Sequence, residues 1–338
     1  MFTYGYEFIG KSPHVDSRHK LSGYLVFLTC MWSWRKASTS SPGYITEQSI
    51  PKYDNYPYDN LLYVNKNCPT LGFRKLPRSK YDRFTNRHVA RFDHVCGWID
   101  NTVGEENYRI FLMFLLVHIG MCAYGTVLTY WLFKGEVQDR DLFNAIFFNG
   151  QTGEEVQADF WVISHFIFMK NFHLCAVFLL MGAMSVALGL FFLFHLYMVC
   201  KGMTTNEYYK WRQVRKWHKK EENKYKAAVI EGKVKDASLR NGYAGMGEML
   251  DVDVGCVGPT NADSRSTLHS NEERNETMNP GPFPENIYNL GIFENLKEVI
   301  FPRSLSIDAK EQYAAALVNI EIRGKHTNKN ISNKPKIK

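Results

Sequence analysis

Residues 172–200 read FHLCAVFLLMGAMSVALGLFFLFHLYMVC, a run without Asp, Glu, Lys or Arg. A helix needs about 20 apolar residues to cross the roughly 30 Å hydrocarbon layer of a bilayer. Here apolar residues cover every face instead of one stripe, which suits lipid better than the core of a soluble protein. Working toward the N-terminus, residues 109–133 (RIFLMFLLVHIGMCAYGTVLTYWLF) repeat the pattern. Residues 21–34 (LSGYLVFLTCMWSW) form a shorter run, bracketed by His19 and Lys20 on one side and Arg35 and Lys36 on the other, whose long side chains can snorkel. These runs predict spans at 21–40, 109–133 and 172–200, preceded by an N-terminal segment 1–20. The stretch FWVISHFIFM at 160–169 is too short to span and reads as interfacial, or as the entry to the last span. The chain is thus expected to be an all-α multi-pass membrane protein. A transporter or channel fits poorly, because no charged pairs occur inside the spans.

Charge sets the orientation. Basic residues from Arg35 to Arg91 crowd the segment between the first two spans, and Lys201, Lys210, Arg212, Arg215 and Lys216 follow the last. Between the second and third spans, Lys134, Arg140 and Lys170 are outweighed by Glu136, Asp139, Asp141, Glu154, Glu155 and Asp159. By the positive-inside rule a domain at 41–108 and a C-terminal region at 201–338 are cytosolic, and the loop 134–171 is lumenal. The net charge of +7 then reflects topology and anionic lipid, not nucleic acid. The seven cysteines are scattered, some in spans and some facing a reducing compartment, which argues against a disulfide framework.

The core of the cytosolic domain, 66–107, contains Asp93-His94-Val95-Cys96. A thiol nucleophile must be ionised. A nearby imidazole can take its proton, and a carboxylate can hold that imidazole in the required tautomer. Alone the triple is a weak signal, since buried cysteines are usually inert.

The surrounding residues strengthen it. Arg78-Ser79-Lys80, Val89 to His94, Cys96, Gly97-Trp98, Asn101, Gly104 and Asn107, with a span directly after, resemble the DHHC-type protein S-acyltransferases. The segment 204–207, Thr204-Thr205-Asn206-Glu207, matches that family's TTxE motif, and Ser41-Pro42-Gly43 sits where the family has Asp-Pro-Gly. Residues 286–302, with Tyr288 and Asn295, resemble its C-terminal Asn/Tyr element. The resemblance implies S-palmitoyl transfer from a long-chain acyl-CoA such as palmitoyl-CoA to cysteines of membrane-associated substrate proteins, in the Golgi or endoplasmic reticulum. Cys96 would carry the acyl group, His94 would be its base and Asp93 would orient His94. Thr204, Thr205, Glu207, Tyr288 and Asn295 would support them, Thr205 by positioning Asp93, and Tyr288 and Asn295 by packing the C-terminal segment against the loop. The CoA phosphates would meet Arg74, Lys75, Arg78, Lys80 and Arg91.

The family folds this loop around two zinc ions, and here the pattern fails. The first site would be Cys68, Leu71, Tyr81 and His88, and the second Asp82, Thr85, Val95 and Thr102. Structural zinc wants four Cys or His ligands, so neither site is expected to hold metal. The loop must be stabilised otherwise, through its tethers and an apolar cluster of Phe73, Phe84, Phe92, Trp98 and Ile99. The alternative to an enzyme is a catalytically inactive relative acting as a membrane scaffold or an acyl-CoA- or lipid-binding protein. Residues 208–226 predict an amphipathic helix, and 236–284 a flexible linker. His118, His165, His173 and His195 lie in or near spans and are expected to make interhelical hydrogen bonds. The family usually has four spans, against three here.

Overall fold

The apolar runs become helices with the expected centres and different ends. The computed structural model describes residues 14–231, 279–308 and 311; most of the predicted linker 236–284 and the start of the N-terminal segment 1–20 lie outside them. The chain divides into two units: Met1–Ser38 with Ile110–Phe194, and Thr39–Arg109 with His195–Lys338.

The first unit is built on α1 (Arg18–Thr39), α3 (Tyr108–Asp139), α4 (Phe160–Lys170) and α5 (Phe172–Cys200). The helices α3 and α5 are long and apolar enough to cross a membrane. α5 leaves Leu179, Leu180, Val186, Leu190 and Leu193 exposed, as a lipid-facing helix does. α1 has the length of a span but is less apolar, and does not meet the same standard. α3 runs past the expected residue 133 to Asp139, where Glu136 pairs with Lys170 and accepts a hydrogen bond from Asn171 at 2.9 Å. Small residues make the α3–α5 seam. A Cβ at Gly182 would lie 3.7 Å from Thr126, and one at Gly125 would lie 3.5 Å from Met181. Tyr124 fastens α1 to α3 through His19 at 2.9 Å and Ser22 at 2.8 Å. The loop 134–171 also holds a short hairpin of β6 (Phe147–Phe148) and β7 (Glu155–Val156). α4 is capped by Asp159, which accepts from the Val162 amide at 2.8 Å.

The second unit corrects the all-α expectation. After α1 come short antiparallel strands, and a short helix α2 (Ile50–Tyr53) follows the first of them. β1 (Tyr44–Ile45), β2 (Lys80–Asp82) and β3 (Arg87–Val89) form a sheet in the order β1-β3-β2, and β4 (His94–Cys96) pairs with β5 (Asn101–Val103). The hairpins turn at Asn86 and Asp100, both with positive φ, a conformation their short polar side chains tolerate. Gly104 is required by close packing, since a Cβ there would sit 2.5 Å from both the Pro42 carbonyl oxygen and Val89. The apolar residues that hold the unit differ from those expected. Phe92 and Ile99 are buried and Phe73 is partly so, but Phe84 and Trp98 are exposed. One cluster joins Tyr56, Leu62 and Tyr63 to Trp211 and Val214 of α6 (Thr205–Ile230) and to Tyr288. Near the C-terminus, α7 (Ile292–Ile300) completes the unit.

Candidate active site

The strand period places the reactive pair. In β4, His94 and Cys96 fall on one face while Val95 points away and is 44% exposed. Cys96 is 6% exposed, and the amides of Trp98 and Ile99 donate toward its sulfur. Burial pushes the thiol up, but its hydrogen bond with His94 and these amides outweigh burial, and the Cys96 pKa lies below the ordinary cysteine value. Burial also works against a charged His94, yet its bonds to Asp93 and Cys96 push the imidazole up to about 9. The two shifts favour a thiolate–imidazolium pair, which titrates as a unit.

Asp93, just before the strand, is 2% exposed and doubly clamped from α6. The Thr205 amide donates to one carboxylate oxygen at 2.7 Å, and the Thr205 hydroxyl donates to the other at 2.9 Å. That second oxygen also accepts from His94 Nδ1 at 2.6 Å. Burial alone would raise the Asp93 pKa; these donors and His94 bring it below the usual carboxylate range. An ionised carboxylate only accepts, so Nδ1 carries the hydrogen and Nε2 is left for the proton of Cys96.

The clamp depends on how α6 begins. Thr204 is its N-cap, accepting from the Glu207 amide at 3.2 Å while Glu207 accepts from the Thr204 amide at 2.9 Å. Gly202, with φ of 62°, lets the chain turn into the cap; a Cβ there would meet the Tyr288 carbonyl oxygen at 2.6 Å. Asn295 ties α7 to this turn, donating to the Cys200 carbonyl at 3.2 Å and accepting from the Leu290 amide at 3.0 Å. Tyr288 donates to the Pro57 carbonyl at 2.9 Å. The structure places Thr204, Thr205, Glu207, Tyr288 and Asn295 around the start of α6, with Asn295 gripping the turn before α6 and not the hairpin that bears Cys96.

The five expected phosphate-binding cations do not form a surface patch. Arg78 is fully buried, with its Nε and Nη2 each 2.7 Å from a Glu207 oxygen and Nη2 donating to the Gly202 carbonyl at 3.0 Å. Its guanidinium packs on the rings of Tyr56 and Tyr288. Arg91 is buried beside Glu298 at 3.3 Å, and Lys75 is 4% exposed. Only Arg74, paired with Asp54, and Lys80, over the Phe92 ring, keep solvent access among the five. Cations interleaved along the sequence look alike; burial separates the structural ones.

The residues at the family's zinc positions are committed elsewhere. At the second position Asp82 accepts from the Thr102 hydroxyl at 2.6 Å and the Thr85 hydroxyl at 2.8 Å, so hydrogen bonds join the three. Val95, the remaining member, is exposed. At the first, the His88 ring packs against Tyr81 and Phe73 at 5.7 Å and 5.3 Å, Cys68 is buried and Leu71 is exposed. Neither donor set fits a structural zinc ion.

His195 makes the interhelical hydrogen bond expected of it, with Tyr108, but its place beside His94 and the part of Tyr108 were not foreseen. His195, on α5, is fully buried, and its ring lies 5.6 Å from that of His94. Its Nδ1 is 3.0 Å from the Tyr108 hydroxyl, at the start of α3. Asp93, His94 and His195 bring ligand-type atoms within 4.8 Å of one another. Because Asp93 already accepts three hydrogen bonds from Thr205 and His94, the trio suits proton handling better than metal binding. A lone histidine in an apolar run carries no signal of this.

Comparison with known proteins agrees with the geometry. A family model described as DHHC palmitoyltransferase matches residues 63–212. The chain is 30% identical over 317 residues to a protein of Yarrowia lipolytica named palmitoyltransferase SWF1, covering 90% of this chain and 76% of that one. It is 30% identical over 203 residues to palmitoyltransferase ZDHHC4 of Mus musculus, covering 58% and 57%, and 30% over 211 residues to palmitoyltransferase swf1 of Schizosaccharomyces pombe, covering 62% and 54%. The chain therefore spans just over half the length of the last two relatives.

Proposed function

Because this chain belongs to the DHHC palmitoyltransferase family, we propose that Cys96 carries a long-chain acyl group from acyl-CoA to cysteine thiols of membrane-associated proteins. It is a mostly helical membrane protein and a protein S-palmitoyltransferase by family. The single observation that carries the reading is the line from Thr205 through Asp93 and His94 to a thiol whose pKa is lowered.

The Cys96 proton passes to His94 Nε2, and the thiolate attacks the acyl carbonyl of acyl-CoA. The carbon–sulfur bond to CoA breaks, and the CoA thiolate leaves with the proton held by His94. A substrate thiol then gives its proton to His94 and attacks the Cys96 thioester, and Cys96 departs as the thiolate that the imidazolium stabilises. Asp93 stays ionised throughout, holding the ring and offsetting its charge. Lys80 and Arg74, the accessible cations of the five, would meet the CoA phosphates. An inert scaffold has no use for a lowered thiol beside a clamped carboxylate, so the catalytic reading is preferred.

The same proposal takes α1 as a third span, the domain 41–108 and the region 201–338 as cytosolic, the loop 134–171 as lumenal, and the Golgi or endoplasmic reticulum as the host membrane. The basic residues flanking the spans support this topology. It also takes the loop as zinc-free, with the Asp82 hydrogen bonds in the metal's place. Purified protein incubated with a clickable palmitoyl-CoA should acquire hydroxylamine-sensitive label on wild type and none on Cys96→Ala. An unlabelled wild type ends the enzyme reading, and an equally labelled variant ends the assignment of Cys96. Metal analysis of the same sample should find less than one zinc per chain, and two would refute the zinc-free loop.

A further inference from the structure

His94 has a neighbour that the transfer steps leave unused. Asp93 holds one edge of its ring and Cys96 faces the other nitrogen, while His195 from α5 lies alongside, the two rings tilted by 38° at 5.6 Å. His195 is fully buried, and Tyr108 is 9% exposed. Their hydrogen bond of 3.0 Å comes with ring centroids 5.8 Å apart, so the hydroxyl fixes the position of the second imidazole. The arrangement lies inside one unit, since Tyr108 and His195 both belong with the catalytic hairpin.

We propose that His195, anchored by Tyr108, is a positioning residue that keeps the His94 ring aimed at Cys96 and accommodates it when it becomes an imidazolium. This rests on the reading of Cys96 as the acyl carrier. Two imidazolium rings this close in a water-poor interior would repel, whereas a neutral polarisable ring can lie against a cation at no such cost. A tyrosine hydroxyl is the right anchor, because it binds a neutral imidazole without bringing a charge. Among the described residues, the charged and titratable groups beside His94 include Asp93 and Cys96 from its own hairpin segment and His195 from α5. Arg91 and Glu105 border the small cavity that Asp93 and Tyr108 also line. Of these, His195 presents an aromatic face to the ring. With the support removed, the His94 cation is held less well, its proton is released more readily, and the Cys96 thiolate forms at higher pH.

The test measures the pH dependence of Cys96 alkylation by iodoacetamide beside autoacylation from clickable palmitoyl-CoA, in full-length detergent-purified protein. Tyr108→Phe removes a single oxygen, and His195→Leu replaces the ring with an apolar side chain. Both should move the alkylation midpoint up by about one pH unit, a roughly tenfold slower reaction at pH 7. His195→Gln, which can still bond the tyrosine, should recover part of the shift. An unchanged midpoint in both Tyr108→Phe and His195→Leu overturns the proposal, as does a uniform fall in rate at every pH with the midpoint fixed, which marks a merely structural role. Failure of the acyl-carrier reading is distinguishable, because it removes the palmitoyl label from wild type and leaves the alkylation profiles to be compared.

Discussion

At Cys96 the chemistry depends on which of two coupled groups holds one proton. The thiol is lowered and His94 is raised to about 9, in each case against the effect of burial. The sign follows directly. Alkylation of Cys96 should begin below the pH at which a free cysteine, with a pKa of about 8.5, reacts. Autoacylation should rise with the same acidic limb, then fall through a second limb near 9 as His94 loses the proton needed by the leaving thiolate. In His94→Gln the alkaline limb should vanish and the thiol return upward; a midpoint still below that of free cysteine would contradict the ion-pair account. Thr205→Val deletes the hydroxyl that donates to Asp93 at 2.9 Å but keeps the amide donor. A hydrogen bond to a charged group contributes about 1.5–3 kcal/mol, so acylation should slow by at least tenfold. Thr205→Ser should stay close to wild type in the same assay. The resemblance to the family singled out Cys96, His94, Asp93 and Thr205 where the residues alone gave a weak signal, and the structure joins Thr205, Asp93 and His94 by hydrogen bonds beside Cys96. The place of His195 beside His94 was not legible in the sequence, since it spans a hundred residues of chain and depends on the end of α5 packing beside Tyr108.

Among the elements, the hairpins of the second unit are tied together by hydrogen bonds to Asp82. Asp82 closes β2, Thr102 lies in the middle of β5, and Thr85 sits in the turn after β2, so one carboxylate joins three stretches of backbone. Thr102→Val leaves that buried carboxylate short of a donor. The penalty for such a group is about 1–3 kcal/mol, readable as a lower midpoint in thermal unfolding followed by fluorescence-detected size exclusion. A chelator should leave the wild-type midpoint unchanged, and a large drop would return the stabilising role to metal. The α6 cap is a second device. Thr204→Ala should cost about 1 kcal/mol of stability and slow acylation as well, because the first turn of α6 presents Thr205 to Asp93. The amphipathic pattern predicted a helix at 208–226 and the structure extends it to Thr205–Ile230 with Thr204 as its cap, whereas the strands were missed. They are two or three residues long, and their pairing is decided by Gly104 packing on Pro42 and by turns at Asn86 and Asp100, signals too short for hydrophobic periodicity to register.

Over the whole molecule, charge placement divides two jobs that look identical in sequence. Cations such as Arg74 keep access to solvent, while Arg78 forms a buried fork with Glu207 and packs on the rings of Tyr56 and Tyr288. Breaking a buried pair by deleting one partner costs about 3–5 kcal/mol. Arg78→Met should therefore lower the yield of folded protein sharply in detergent extracts, and more than Arg74→Met, whose partner Asp54 is about one-third exposed. Equal effects from the two would mean that Arg78 is not the keystone its burial indicates. The sequence alone determined the apolar helices α3 and α5 and the order of the motifs around Cys96, because both are local: bilayer thickness sets a run length, and a strand or cap sets a spacing of a few residues. Only the tertiary structure decided which basic residues are buried, that Asp82 is bonded to Thr85 and Thr102, and that His195 and Tyr108 stand beside His94. Those outcomes depend on contacts between distant segments, where desolvation and hydrogen-bond partners, not residue type, determine what a side chain does.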